Sequence, residues 1–324
     1  MFTEKDIEMR SIFVINCIEK RHIRVCNGEL LLEEELDSVK KTLTKMPFQK
    51  ILLLFIVGHI SITTALLDKC KQYNVSLVVV KPNLRPIFYW SHVAEANFLL
   101  RQKQYNIDKD DIGIAKHIVK NKIANQLQLL KNTRKTDEIT QQAKECCINS
   151  LNDITDNIEY YQLMGIEGNV AKNFFRAYFQ QHEWSKRLPR IKSDFINASL
   201  DIGYTILFNY IECFVRMFGF DLYIGVYHRL WFKRKSLICD LMEPFRCIIE
   251  RTLRNALNRG QIKKSDFMVI KNEYKLKKEY NSAYQHIFFE ELIKYKSGIF
   301  KYIQQYYRAF MRNKDIELYP NFNL

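Results

Sequence analysis

Three short stretches of this chain carry side chains that could do phosphate chemistry. The first is Gly165-Ile166-Glu167-Gly168, which leads into an apolar helical pattern from Asn169 onward. Glycines on both sides of a carboxylate let the backbone turn tightly and leave room beside the acid for a bulky ligand. The same residues also suit a plain helix N-terminus, where an acid complements the dipole. The second is His228, which closes the run GFDLYIGVYH over residues 219–228. A lone His among apolar residues is commonly a hydrogen-bonded core residue. This one ends a glycine-punctuated loop, however, and loops held by rigid elements carry function. The third is Asp240-Leu241-Met242-Glu243-Pro244-Phe245-Arg246. A spacing of three puts Asp240, Glu243 and Arg246 on one helical face. Neighbouring carboxylates repel unless a cation or a shared proton relieves them. Apolar Leu237, Ile238, Leu241 and Phe245 raise that cost. Pro244 has no N–H for the Asp240 carbonyl, so the helix must bend or adjust there. A metal or phosphate site and a solvated acidic edge with an internal Arg partner both fit this stretch.

Glu, His and Asp together make an oxygen-rich donor set with one nitrogen. Such a set suits manganese or magnesium better than structural zinc or an iron–sulfur cluster. A polyanionic partner is expected from the charge: 50 Lys and Arg against 36 Asp and Glu give a formal net charge of +14. The excess is uneven. Residues 246–278 hold ten Lys or Arg and three acids, and residues 294–314 hold six and none. Arg246, Arg259, Lys263 and Lys264 are the candidate phosphate contacts in the first stretch. The second interleaves Tyr295, Phe300, Tyr302, Tyr306, Tyr307 and Phe310, which at helical spacing mostly belong in a core, although exposed rings could stack on bases.

These candidates need a scaffold, and the pattern predicts two domains. Residues 1–103 read as a small β-rich domain. Ser11 to Ile18, Ile51 to Val57, Ser76 to Val80 and Pro86 to Trp90 are strand-like. Asn27-Gly28 joins Ile23–Cys26 to Glu29–Leu32 as a hairpin, and Ser61 to Tyr73 has helical spacing. After a polar break at Gln104 to Asp111, residues 104–324 read as a larger all-α domain. Its helices are expected at Ile114–Leu130, Asp137–Asp153, Asn169–Gln181, Phe195–Phe218, Leu237–Leu257 and Ser282–Met311. The fold class expected is therefore α+β. The eight cysteines show no CxxC pair, so free thiols in a reducing cytoplasm are expected rather than a disulfide framework or zinc site. The charged start MFTEKDIEMR predicts no signal peptide. The longest clean apolar run, Ile51–Val57, is about a third of a membrane span, so no membrane partner is expected.

The segments GIEGNVAKNFF, GFDLYIGVYH and CDLMEPFR, in this order and spacing, resemble the three active-site motifs of the CRISPR-associated protein 1 family, the adaptation integrases. The likeness covers nearly the whole chain: GHISITTAL (58–66) is similar to the family's N-terminal-domain motif, the helix with Lys122-Ile123-Ala124-Asn125-Gln126 to its first interdomain helix, and NALNRGQIKKSDF (255–267) to its later helical region. The resemblance implies that Glu167, His228 and Glu243 bind a divalent ion, Mg2+ or Mn2+, with Asp240 beside them as a further catalytic residue. It also implies homodimers formed through the N-terminal domain, a small ferredoxin-fold partner, and DNA as substrate. The implied reaction is transesterification: the 3′-hydroxyl of a short fragment attacks a repeat phosphodiester, and the same site can cut DNA. Rival readings are a nuclease that only shortens strands and a non-catalytic DNA-binding scaffold.

Overall fold

The computed structural model describes residues 2–17, 21–36, 39–91, 96–108, 110–134, 137–182, 184 and 186–324. A short helix α1 (Glu4–Met9), capped by Thr3, leads into β1 (Ser11–Cys17). The expected strand to Ile18 is β1 as far as Cys17; Ile18 lies outside the described residues. β2 (Arg21–Cys26), β3 (Glu29–Leu36) and β4 (Val39–Pro47) form an antiparallel meander, with Asn27 and Gly28 at φ 50° and 76° making the β2–β3 turn. Its third strand, β4, was not expected from the pattern, because Lys40, Lys41 and Lys45 along it are solvated rather than apolar.

β5 (Ile51–Gly58) is buried along its whole length. It lies between β1 and β6 (Ser76–Val80), parallel to both, while β7 (Pro86–Trp90) closes the sheet antiparallel to β6. Covering on both faces explains its unbroken apolar run. Alternation divides it: Leu54 and Ile56 face α2 (Thr64–Tyr73) and the meander, whereas Leu53, Phe55 and Val57 face the helical core. Phe55 meets Phe289 edge-on, with centroids 4.8 Å apart. The β-rich part and the helical part thus share a core.

The helical part begins with α3 (Phe98–Tyr105) and α4 (Gly113–Lys131), then α5 (Glu138–Asp153), capped by Asp137, and α6 (Tyr160–Tyr178). α7 (Phe195–Arg216) is the central helix. It is buried on nearly every side and packs against the later helices. The single helix expected over Leu237–Leu257 is three pieces: α8 (Ser236–Met242), a 3₁₀ turn Glu243–Phe245, and α9 (Arg246–Asn258). The break sits where Pro244 lacks its donor, and the Glu243 N–H bonds the Asp240 carbonyl instead. The expected Ser282–Met311 helix is likewise split at Tyr295 into α10 (Asn281–Lys294) and α11 (Lys296–Met311). One hairpin, β8 (Phe267–Ile270) and β9 (Glu273–Leu276), interrupts the otherwise helical part. Its turn uses Lys271 and Asn272 at φ 52° and 61°, a conformation that Lys does not advertise in sequence. Among the described residues no helix is long and apolar enough to cross a membrane.

Candidate active site

α4 brings the site together. Its Lys122 is buried, and the ammonium pairs with Glu167 of α6 and lies 2.7 Å from Glu243 Oε2 at the Pro244 break. One turn on, Asn125 Nδ2 donates to the Pro244 carbonyl at 3.1 Å, fixing the break against α4. Glu243 Oε1 meets Arg246 at 2.9 Å. Burial alone would raise the Glu243 carboxyl. The Arg246 guanidinium, the Lys122 ammonium and nearby His228 outweigh it and hold the group well below the usual carboxylate range. Desolvation likewise opposes the Lys122 charge, but Glu167 and Glu243 raise its pKa overall. Two carboxylates from separate elements are therefore held together by a cation between them.

His228 is anchored by Asp240, which is wholly buried. One Asp240 oxygen accepts the Val226 and Tyr227 N–H groups at 2.6 and 3.0 Å; the other accepts the His228 N–H at 2.8 Å and lies 2.7 Å from His228 Nδ1. A carboxylate only accepts, so Nδ1 carries the proton and Nε2 is left to act as an acceptor or ligand. Gly225 is required here. A Cβ at that position would lie 2.5 Å from Asp240 Oδ2 and 2.9 Å from the Ser236 backbone.

A second buried acid lies behind Arg246. Glu250 accepts the Tyr204 hydroxyl at 2.8 Å, while its other oxygen has no hydrogen-bond partner. Burial pushes its pKa up to about 7, against the lowering pull of Tyr204, Lys122 and Arg246. The Arg246 guanidinium stands 4.7 Å over the Tyr204 ring.

Glu167, Lys122, Arg246 and Glu250 open onto a cleft of about 1380 Å³. Ten Lys or Arg line it against three acids, including Lys172, Arg176, Lys186, Arg190 and Lys192. Such predominantly cationic walls suit a phosphodiester backbone.

The structure thus brings Glu167 and Glu243 to one ammonium and sets His228 near Glu243. Among the described residues, no three His, Cys, Asp or Glu side chains already stand at metal-holding spacing. Asp240 spends its oxygens on the loop and on His228 rather than facing the cleft. Gly165 and Gly168 sit inside α6 and not at its start, and a Cβ at either would meet nothing within 4 Å. They leave the helix surface beside Glu167 open. Of the four candidate phosphate contacts, Arg246 lines the cleft, whereas Arg259, Lys263 and Lys264 are exposed beyond the end of α9 and are not part of its wall. The aromatics Phe300, Tyr302, Tyr306 and Phe310 are buried in the core. Sequence reasoning overlooked Lys122 as a site residue, together with Tyr204, Glu250 and the cations of 172–192. A buried-face Lys in the apolar stripe of α4 was the available signal for the first.

Residues 18–289 match the family model described as CRISPR associated protein Cas1. The chain belongs to the Cas1 family. A "CRISPR-associated endonuclease Cas1 1" from Thermodesulfovibrio yellowstonii is 28% identical over 234 residues, which cover 69% of this chain and 74% of that protein. Among solved structures, a "Casposase bound to integration product" superposes with a TM-score of 0.75 at 18% identity, covering 97% of this chain and 94% of that one. A chain of a "Cas6-RT-Cas1--Cas2 complex" superposes at 0.76 and 20% identity; 97% of this chain is covered but only 36% of that longer chain. At such identities the structural likeness speaks for the Cas1 fold: an N-terminal strand region followed by a mostly helical part.

Proposed function

We propose that this Cas1 protein is a DNA integrase of CRISPR spacer acquisition, joining the 3′-hydroxyl ends of short fragments to a repeat by transesterification and able to cut DNA at the same site. The observation that carries the reading is the meeting of Glu167 and Glu243 beside a cleft walled by cations. The chemistry also asks for a divalent ion, and the residues fit one. Two hard carboxylate oxygens and an imidazole nitrogen suit Mg2+ or Mn2+, and buried Glu243 Oε2 lies near Lys122 but makes no aligned hydrogen bond. Glu167, His228 and Glu243 would hold it; when bound, it polarises a phosphoryl oxygen and eases ionisation of the attacking hydroxyl. Asp240 holds the His228 ring in the tautomer that presents Nε2. The cleft cations draw in both DNA backbones and keep them in line, and no protein side chain attacks. The casposase likeness favours joining over simple cutting. The Cas1–Cas2 neighbour supports a small ferredoxin-fold partner, and we assign homodimer formation to residues 1–103 in a cytoplasmic protein.

The test incubates the purified protein with a duplex bearing 3′-hydroxyl ends and a supercoiled repeat plasmid, with and without Mn2+, beside Glu243→Ala. Branched products that need both the metal and Glu243 are expected. Shortened strands alone would make it a nuclease. DNA binding indifferent to metal and to Glu243, with no products even after addition of a small partner protein, would make it a scaffold.

A further inference from the structure

α4 carries polar side chains on two neighbouring faces. Lys122 and Gln126, four residues apart, line the cleft. His117, Asn121 and Asn125 form a second row at the same spacing, outside the cleft lining. Asn121 and Asn125 are buried. A buried amide is costly unless it is hydrogen-bonded, so two of them on successive turns mark a built contact. Apolar side chains would bury the same surface without that cost.

The row holds residues 319–324. Past the 3₁₀ turn Ile316–Leu318 the chain is neither helix nor strand, with Pro320 and Phe322 buried and Asn321 and Asn323 exposed. Each member of the row grips its backbone. His117 Nε2 meets the Pro320 carbonyl at 3.0 Å. Asn121 takes both polar groups of Phe322, accepting the N–H at 2.9 Å and donating to the carbonyl at 2.8 Å. Asn125 Nδ2 reaches the same carbonyl at 2.9 Å and the Pro244 carbonyl at 3.1 Å. The Phe322 ring packs on Phe245, with centroids 4.6 Å apart, and meets Tyr295 edge-on at 5.7 Å. One amide and one ring thus tie this segment to both residues that follow Glu243. Directional bonds on three successive turns also fix its register along α4.

We propose that residues 319–324 are a strap that positions Glu243 from outside the cleft. Phe322, through Asn125 and Phe245, sets the Pro244 break and with it the Glu243 carboxylate. The strap touches neither DNA nor the reacting atoms, so Phe322 and Asn125 are positioning residues. The inference rests on the reading of Glu243 as an acid that holds the ion.

The test compares the whole protein with Phe322→Ala, Asn125→Ala, Phe322→Leu, which keeps most of the apolar volume, and Asn323→Ala at an exposed position of the strap. Hydrogen exchange without DNA or metal reads the break through the Glu243 and Arg246 amides, which bond the Asp240 and Glu243 carbonyls. Protection there should fall about tenfold in Phe322→Ala and Asn125→Ala, the worth of roughly one hydrogen bond, while the amides of α7 keep theirs. The dissociation constant for Mn2+ alone, read by electron paramagnetic resonance, should rise by a similar factor. Duplex affinity should stay within about twofold, and joining should lose kcat rather than gain KM. Phe322→Leu should recover most of the protection, and Asn323→Ala should match the parent. Asn125→Ala removes little packing and decides the case if Phe322→Ala unfolds the protein. In that variant, unchanged protection at the break with unchanged Mn2+ affinity would make the segment ordinary core packing and overturn the strap. So would an equal loss of protection in α7, or duplex affinity falling in step with joining. A parent that never joins DNA would refute the integrase reading, whereas the strap stands or falls on the exchange and Mn2+ results.

Discussion

Replacing Asp240 by Asn changes almost no volume and isolates the charge that clasps the His228 loop. The carboxylate accepts four donors: the N–H groups of Val226, Tyr227 and His228, and His228 Nδ1. An amide offers one oxygen, which can serve only one of the two donor pairs. Its NH₂ must then face the other pair, so two charge-assisted bonds are lost and two donors are left opposed. At ~1.5–3 kcal/mol for each bond to a charged group, the loss is about 3 kcal/mol or more. That is a large share of the ~5–15 kcal/mol that holds a typical protein folded. It corresponds to a roughly hundredfold larger open population of the loop. Hydrogen exchange on the peptide spanning 226–228 reads this directly, with the amides of α7 as an internal reference. Protection that is lost at 226–228 and kept in α7 is expected. Unchanged protection at all three amides would mean that the contacts to Asp240 do not hold the loop, and the argument for how His228 is oriented would fail with them.

Lys122→Met leaves Glu167 and Glu243 without their shared cation. The variant should lose about 3 kcal/mol in chelator, and Mg2+ or Mn2+ should raise its melting temperature more than the parent's; equal responses would show that the ion does not share the place of the ammonium. Gly225→Ala drives a methyl into Asp240 and the Ser236 backbone, so a loss of about 1–3 kcal/mol is expected in urea unfolding, and none would mean the loop yields freely. Glu250 binds its proton more tightly in the folded protein, at about 7 against the ordinary 4.5 of a free glutamate. Its protonated state therefore stabilises the fold fully below pH 4.5, and that stabilisation declines as pH rises through 7, by about 3 kcal/mol at most. Glu250→Gln should match the parent near pH 4.5 and be more stable at pH 8, as measured by paired urea titrations; parallel curves would refute the assignment.

Much of this architecture was legible because local signals agreed. β5 is an unbroken apolar run, Asn27-Gly28 dictates a turn, and Asp137 caps its helix. The three motif segments also contain the acids and the His that the structure gathers. What stayed hidden depends on contacts far apart in the chain. Nothing near Lys122 says that α6 and the Pro244 break converge on it. Asp240 reads as one more acid in a helix until the loop 225–228 folds over its side chain. The sequence places its candidate phosphate contacts where cations are densest, from Arg246 onward. The cations that line the cleft are instead scattered over α6, the start of α9 and the 186–192 segment. The helical part also reads as free of strands, because a hairpin of two four-residue strands turning at Lys271-Asn272 carries too little alternation to stand out.

The three residues at Pro244 can also be understood as a change of phase. An α-helix advances about 100° per residue and a 3₁₀ turn about 120°, so Glu243–Phe245 rotates everything downstream by roughly 60° relative to a straight helix. Glu243 and Glu250, seven residues apart, would otherwise stack on one face two turns from each other. The added rotation carries Glu250 from about 20° on one side of Glu243 to about 40° on the other, and Glu243 meets Lys122 of α4 while Glu250 meets Tyr204 of α7. Two like carboxylates on one broken helix thus share the cations Lys122 and Arg246 yet differ in state, Glu243 kept ionised and Glu250 inclined to keep its proton.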